Sequence, residues 1–141
     1  MNTNFQSFQE LLDYCTEQSC SITEAALRYE TEETGIPKEE ILEKMTAALT
    51  QMRQTIEEGV ASDEPSLSGL SGQDAKQIMS FLGTEQCFLS PFIIRMMAYG
   101  VATLEENARM KTIVACPTAG GSGSVPAVLV ALEHDKPELK E

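Results

Sequence analysis

Apolar residues recur at three- and four-residue spacing along most of this chain, the pattern of helices that bury one face. Phe5, Phe8, Leu11, Leu12 and Cys15 share such a face and predict a first helix. Ser21 and Glu24 have the spacing of a capping box, in which hydroxyl and carboxylate satisfy backbone N–H groups at a helix start. A second helix therefore carries Ala25, Ala26, Leu27 and Tyr29 and stops at Gly35, which suits the left-handed cap. Pro37 fits the first turn of a third helix, with Glu39 and Glu40 at the positive end of its dipole. Its stripe of Ile41, Met45, Ala48, Leu49, Met52 and Ile56 reads as core, with methionine as gap-filler. The acidic run from Glu30 to Glu40 reads as a solvated face.

Periodicity fails from Gly59 to Gly72, where GVASDEPSLSGLSG reads as a loop of the kind that binds or links. Ser71 and Asp74 are candidate caps for a short helix bearing Ala75, Ile78, Met79 and Leu82, closed by Gly83. Ser90-Pro91 then opens a helix from Phe92 to Leu104 that is apolar on nearly all sides. Such a helix needs cover from several directions, more than its short neighbours supply, so further protein or a partner is expected. The fold class is all-α: a bundle of several helices with a Gly/Ser-rich loop before the last one, and an incomplete domain. Its parts are amphipathic helices over 1–58, a loop over 59–72 and buried helices over 73–141.

Charge narrows the choice of partners. With 22 acidic against 10 basic residues among 141, the net charge is −12, which opposes binding to nucleic acid or to an anionic membrane surface. No apolar run is long enough for a spanning helix and the first residues lack a secretory pattern, so a single cytoplasmic domain is expected. Cys15, Cys20, Cys87 and Cys116 match no zinc spacing and read as free thiols, with no metal site in this chain. His134 reads as exposed.

The segment with candidate chemistry follows Lys111. An extended apolar entry, Thr112 to Ala115, leads into Pro117-Thr118-Ala119-Gly120-Gly121-Ser122-Gly123, with Ser124 and Pro126 where a helix cap and first turn would stand. Small residues before a helix start let backbone N–H groups converge on an anion, so a carboxylate or phosphate fits. There is no Walker lysine and no GxGxxG spacing. A tight turn between two buried elements would read the same way. Cys116 beside the loop reads as a small buried thiol. Lys76, after the upstream loop, would meet a carboxylate or carry a proton if desolvated, and is otherwise a surface lysine. Glu105 and Asn107, on the preceding helix, are placed to orient the loop.

The run LEENARMKTIVACPTAGGSGSVPAVL resembles a segment of the iron-sulfur-dependent L-serine dehydratases, through Glu105, Asn107, Ala108, Ile113, Val114, Ala115, Pro117, Thr118, Gly120, Gly123 and Pro126. Ser68-Gly69-Leu70-Ser71-Gly72-Gln73-Asp74-Ala75-Lys76 is similar to a second stretch of that family. Leu27-Arg28-Tyr29-Glu30 and Glu32-Glu33-Thr34-Gly35 resemble the opening of its alpha subunit. The resemblance implies loss of water from L-serine to give pyruvate and ammonia, with a [4Fe-4S] cluster as Lewis acid. It implies that Ser68, Gly69, Ser71, Gly72, Asn107, Thr118, Ala119, Gly120, Gly121, Ser122 and Gly123 bind substrate, with Lys76 as the candidate catalytic group. Cluster cysteines are expected beyond Glu141, in a C-terminal half, with a beta subunit as partner, so this chain alone is expected to be inactive. A homo-oligomer is compatible with it. Two departures stand out: Ser122 where the family often has Cys or Ala, and Gln73 in place of a glycine. A non-enzymatic helical module binding a small acid or a partner, and a cluster-dependent lyase for another amino or hydroxy acid, are the competing readings.

Overall fold

Helix starts in this protein are set by side chains that accept the N–H groups a first turn leaves unpaired. Ser7 accepts from Glu10 N to open α1 (Phe8–Glu17), one turn later than Phe5 suggested. At α2 (Ile22–Thr34) the capping box is complete, with Ser21 and Glu24 each satisfying the other's backbone, and Gly35 closes the helix at φ 70°. α3 (Lys38–Ala61) follows Pro37, whose carbonyl accepts from Ile41 N. Ser90 caps α5 (Pro91–Ala108), with proline in its first turn. The computed structural model describes residues 5–85, 87–116 and 118–140, and among them lie these four helices, α4 (Asp74–Ser80), α6 (Ser124–Asp135), two short 3-10 turns and no strand. The all-α class is observed.

The chain divides into two compact units, the first ending at Ala47 and the second starting at Ala48. In the first, the Phe5 ring meets Tyr14 edge-on at 5.1 Å and lies 6.2 Å from Tyr29. Ala25, Leu27 and Ile41 are buried beside an open groove of about 610 Å³. Met45 lines that groove and is 61% exposed, so the apolar stripe of α3 is not continuous core. Glu30, Glu32, Glu33, Glu39 and Glu40 are exposed, as a solvated face should be.

The second unit is built around α5. Ile56 of α3, Ala98 and Tyr99 of α5, and Ala127 and Ala131 of α6 form its buried centre. The Arg53 guanidinium donates to both carboxylate oxygens of Glu133 at 2.9 and 2.6 Å, tying α3 to α6, and this bond holds the Arg53 pKa above its usual value. α3 continues past Gly59 to Ala61, so the loop begins at Ser62. Gly59 is helical because it packs against α5: a Cβ there would lie 2.7 Å from the Ala102 carbonyl oxygen. α5 itself is not covered all round, since Met97 and Leu104 are about half exposed.

Gly59→Ala should therefore destabilise the protein by about 1–3 kcal/mol through overpacking, outweighing alanine's gain of up to about 1 kcal/mol in helix propensity. A raised thermal midpoint would refute the close contact. A second expectation concerns pH. The Glu24 carboxyl lies below the ordinary carboxylate range because the Ser21 backbone and hydroxyl donate to it. Its contribution is thus complete above the unfolded-chain pKa and is lost as pH falls through the lower folded value. Circular dichroism from pH 6 to 2 should show this loss in the native chain and a smaller one in Glu24→Gln.

Candidate functional site

The end of α5 carries charges that the fold buries. Glu105, Glu106 and Arg109 are 3%, 0% and 8% exposed. Spacing of three and four residues puts the guanidinium over both carboxylates: Arg109 Nη1 donates to Glu106 Oε1 at 2.7 Å, and Nη2 lies 3.6 Å from Glu105 Oε2. Arg109 Nε and Nη2 both donate to the Glu64 carbonyl. Glu105 Oε1 accepts from Asp74 N at 2.8 Å, capping α4 from another helix. Lys111 Nζ lies 3.3 Å from Glu106 Oε2, which raises the lysine pKa.

These bonds fasten the upstream loop. Ser66 N donates to the Ser71 carbonyl at 2.7 Å, Ser71 N returns a bond to Ser66 Oγ at 3.2 Å, and Leu67 N reaches the Ala108 carbonyl at 3.3 Å. Gly72 stands at φ 142°, where a Cβ would meet Pro65 Cα at 2.8 Å. Gln73 adopts φ 68° and donates from Nε2 to the Asp63 carbonyl at 2.9 Å. The short helix is therefore capped by Glu105 from across the fold, not by Ser71.

The downstream loop rests on the same helix. Thr118 is extended and its hydroxyl accepts from Gly121 N at 3.3 Å, opening a 3-10 turn over Ala119–Gly121. Ser122 N donates to the Ala119 carbonyl at 3.4 Å, so Gly121 and Ser122 amides already have partners within the turn. Gly123, not Ser124, is the cap of α6, and Pro126 sits in its first turn. A Cβ on Gly123 would lie 3.0 Å from the Gly100 carbonyl oxygen, so this glycine serves close packing on α5. Ser122 is fully buried, and its Oγ has no hydrogen-bond partner among the described residues. An unpaired buried hydroxyl is costly unless something fills its valence. It stands two residues before the twelve-residue α6, whose N-terminal end carries partial positive charge.

The structure wires the two loops differently from the sequence expectation. Ser68, Gly69, Ser71 and Gly72 lie in the fastened upstream loop; the Ser68 hydroxyl is 3.1 Å from that of Ser66. Thr118, Ala119 and Gly120 are exposed, Gly121 is partly covered, and Ser122 and Gly123 are buried. Glu105 does orient a loop, but the one ending at Asp74. Asn107 is exposed, and its carbonyl accepts from Met110 N. Lys76 is about half exposed and pairs with Asp63 at 2.7 Å. His134 is exposed. Pro117 lies outside the described residues. Sequence reasoning missed Arg109 altogether, although its four-residue spacing from Glu105 was the available signal.

The donor set does not fit an iron-sulfur cluster. Cys15 and Cys20 belong to the first unit and Cys87 and Cys116 to the second, all free. Among the described residues no group of three or more His, Cys, Asp or Glu comes together to hold a metal. Among the described residues no helix is long and apolar enough to cross a membrane.

The family described as "Serine dehydratase alpha chain" matches residues 17–140. The chain belongs to that family. It is 33% identical over 130 residues to the "Probable L-serine dehydratase, alpha chain" of Bacillus subtilis (strain 168), covering 92% of this chain and 43% of the relative. It is 30% identical over 123 residues to the "L-serine dehydratase, alpha chain" of Peptoniphilus asaccharolyticus, covering 87% of this chain and 42% of that one. The chain thus spans less than half the length of these curated relatives. No solved structure matches it. Two of the stretches that carried the resemblance, around Ser68–Lys76 and Thr118–Gly123, are joined through α5.

Glu105→Ala should cost about 3–5 kcal/mol, the range for stripping one partner from a buried ion pair. Lys76→Ala, which breaks an exposed pair, should cost less than about 1 kcal/mol. Urea midpoints measure both, and equal losses would contradict the buried network.

Proposed function

We propose that this chain supplies the substrate-binding part of an L-serine dehydratase, with the loop from Thr118 to Gly123 receiving the L-serine carboxylate. The buried Ser122 hydroxyl supports the reading, because a carboxylate oxygen in front of α6 would accept a hydrogen bond from it and place its charge at the positive helix end, a contact particular to this chain where the resemblance expects Cys or Ala. The names of the two relatives supply the substrate. Ser68 to Gly72, held to α5 by Glu105 and Arg109, form the second wall, and Asn107 is a further contact for the amino acid.

Converting L-serine to pyruvate and ammonia requires removal of the α-proton, departure of the β-hydroxyl and return of water to the imine. Lys76 is the proposed proton carrier, and it must leave Asp63 to reach the substrate. The [4Fe-4S] cluster of the complete enzyme is assigned to thiolates outside the described residues, in the remaining part of an alpha subunit, with a beta subunit completing the assembly. This chain by itself should not turn over serine.

The test is an alpha chain of full family length containing this segment, assembled with its beta subunit and reconstituted anaerobically with iron and sulfide. Pyruvate from L-serine is expected, and an assembly inert to serine but active on another amino or hydroxy acid overturns the substrate. In that assembly Ser122→Ala should raise KM for L-serine roughly tenfold or more, as for a lost hydrogen bond to a charged group. The same change in the isolated chain should leave its thermal midpoint level or higher, since the hydroxyl has no partner to lose.

A further inference from the structure

α5 buries Ile94, Ala98, Ala102 and Glu105, and beside that strip runs an apolar band. At about 100° per residue, Ile93, Met97, Val101 and Leu104 fall together over about three turns, with no charged residue between them. Met97 and Leu104 are 47% and 49% exposed. α6 has a matching band in Val125, Val128, Leu129 and Leu132, the last three also exposed. The two helices approach closely where Gly123, just before α6, packs on the Gly100 carbonyl and on Leu104, a member of the α5 band.

We propose that this α5–α6 face docks a helix from the stretch of a serine dehydratase alpha chain that lies outside the part matched here, through an apolar seam about three turns long. The inference rests on the family reading of the proposed function. Three observations favour this occupant. More than half of each relative's length lies outside the match, so the family has polypeptide to supply. Contiguous apolar patches of this kind are rare on free surfaces of soluble proteins. A second copy is disfavoured because each chain carries a net charge of −12 and like charges repel.

The experiment places Met97→Glu with Val128→Glu in two settings. In the isolated chain both positions face water, and the thermal midpoint should move by no more than about 2 °C. In a Bacillus subtilis alpha chain whose matching part is replaced by this chain, the pair should lower the midpoint by roughly 5 °C or more. Equal shifts in the two settings overturn the proposal. So does a native chimera that fails to fold, when the separately encoded remainder also fails to copurify with this chain on co-expression. Light scattering that finds a dimer of the isolated chain, split by the same substitutions, assigns the face to a second copy and overturns it too. Pyruvate formation is read separately: a chimera with the protected face and no serine turnover sinks the substrate reading and leaves the interface standing.

Discussion

Burial of Glu105, Glu106 and Arg109 at the end of α5 is the constraint from which the second unit follows. Two carboxylates and one guanidinium out of water carry a large desolvation penalty, offset here by ion pairs and hydrogen bonds even though Glu105 Oε2 and Glu106 Oε2 accept no hydrogen bond among the described residues. Some partners come from the helix itself, but the Glu64 carbonyl and the Asp74 amide come from the loop. If the loop lifted, Arg109 and Glu105 would lose those bonds while still half enclosed. Order of the loop and tolerance of the buried charges are therefore one equilibrium, which explains how a segment rich in Ser, Gly and Pro holds a defined path without regular structure.

Glycine determines how closely α5 is approached. Gly59 meets Ala102 from one side and Gly123 meets Gly100 from the other. Two residues along a helix turn it by about 200°, so these contacts fall on nearly opposite faces. α5 is clasped between a helix and a loop at distances that side chains would forbid. The glycines of the downstream run thus divide their work: Gly123 is packing, whereas exposed Gly120 leaves space open in front of the turn.

Local signals in the sequence mapped onto local structure. The Ser21–Glu24 box, Gly35 and Ser90-Pro91 depend on neighbours a few residues away, and each stands where periodicity placed it. The discrepancies arise where a distant contact outweighs local preference. Gly59 resembles a loop start until Ala102 is seen beside it, and Ser71 resembles a cap until Glu105 takes that role from 31 positions away. Ser122 was legible as a departure in a motif, but its burial was not, because exposure follows from the packing of α6 on α5.

Gln73 shows how firmly that network dictates backbone shape. It occupies a position where the family resemblance expects glycine, yet its φ of 68° keeps a glycine-like conformation. For a residue with a Cβ this costs roughly 1–2 kcal/mol. A side-chain bond to the Asp63 carbonyl offsets part of it. The remainder must come from what the conformation secures: the next residue, Asp74, has its N–H aimed at Glu105, and an extended Gln73 would turn it away. Strain in the loop is thus maintained by the buried carboxylate it serves, and the path of the chain between Gly72 and Asp74 belongs to α5 more than to its own sequence.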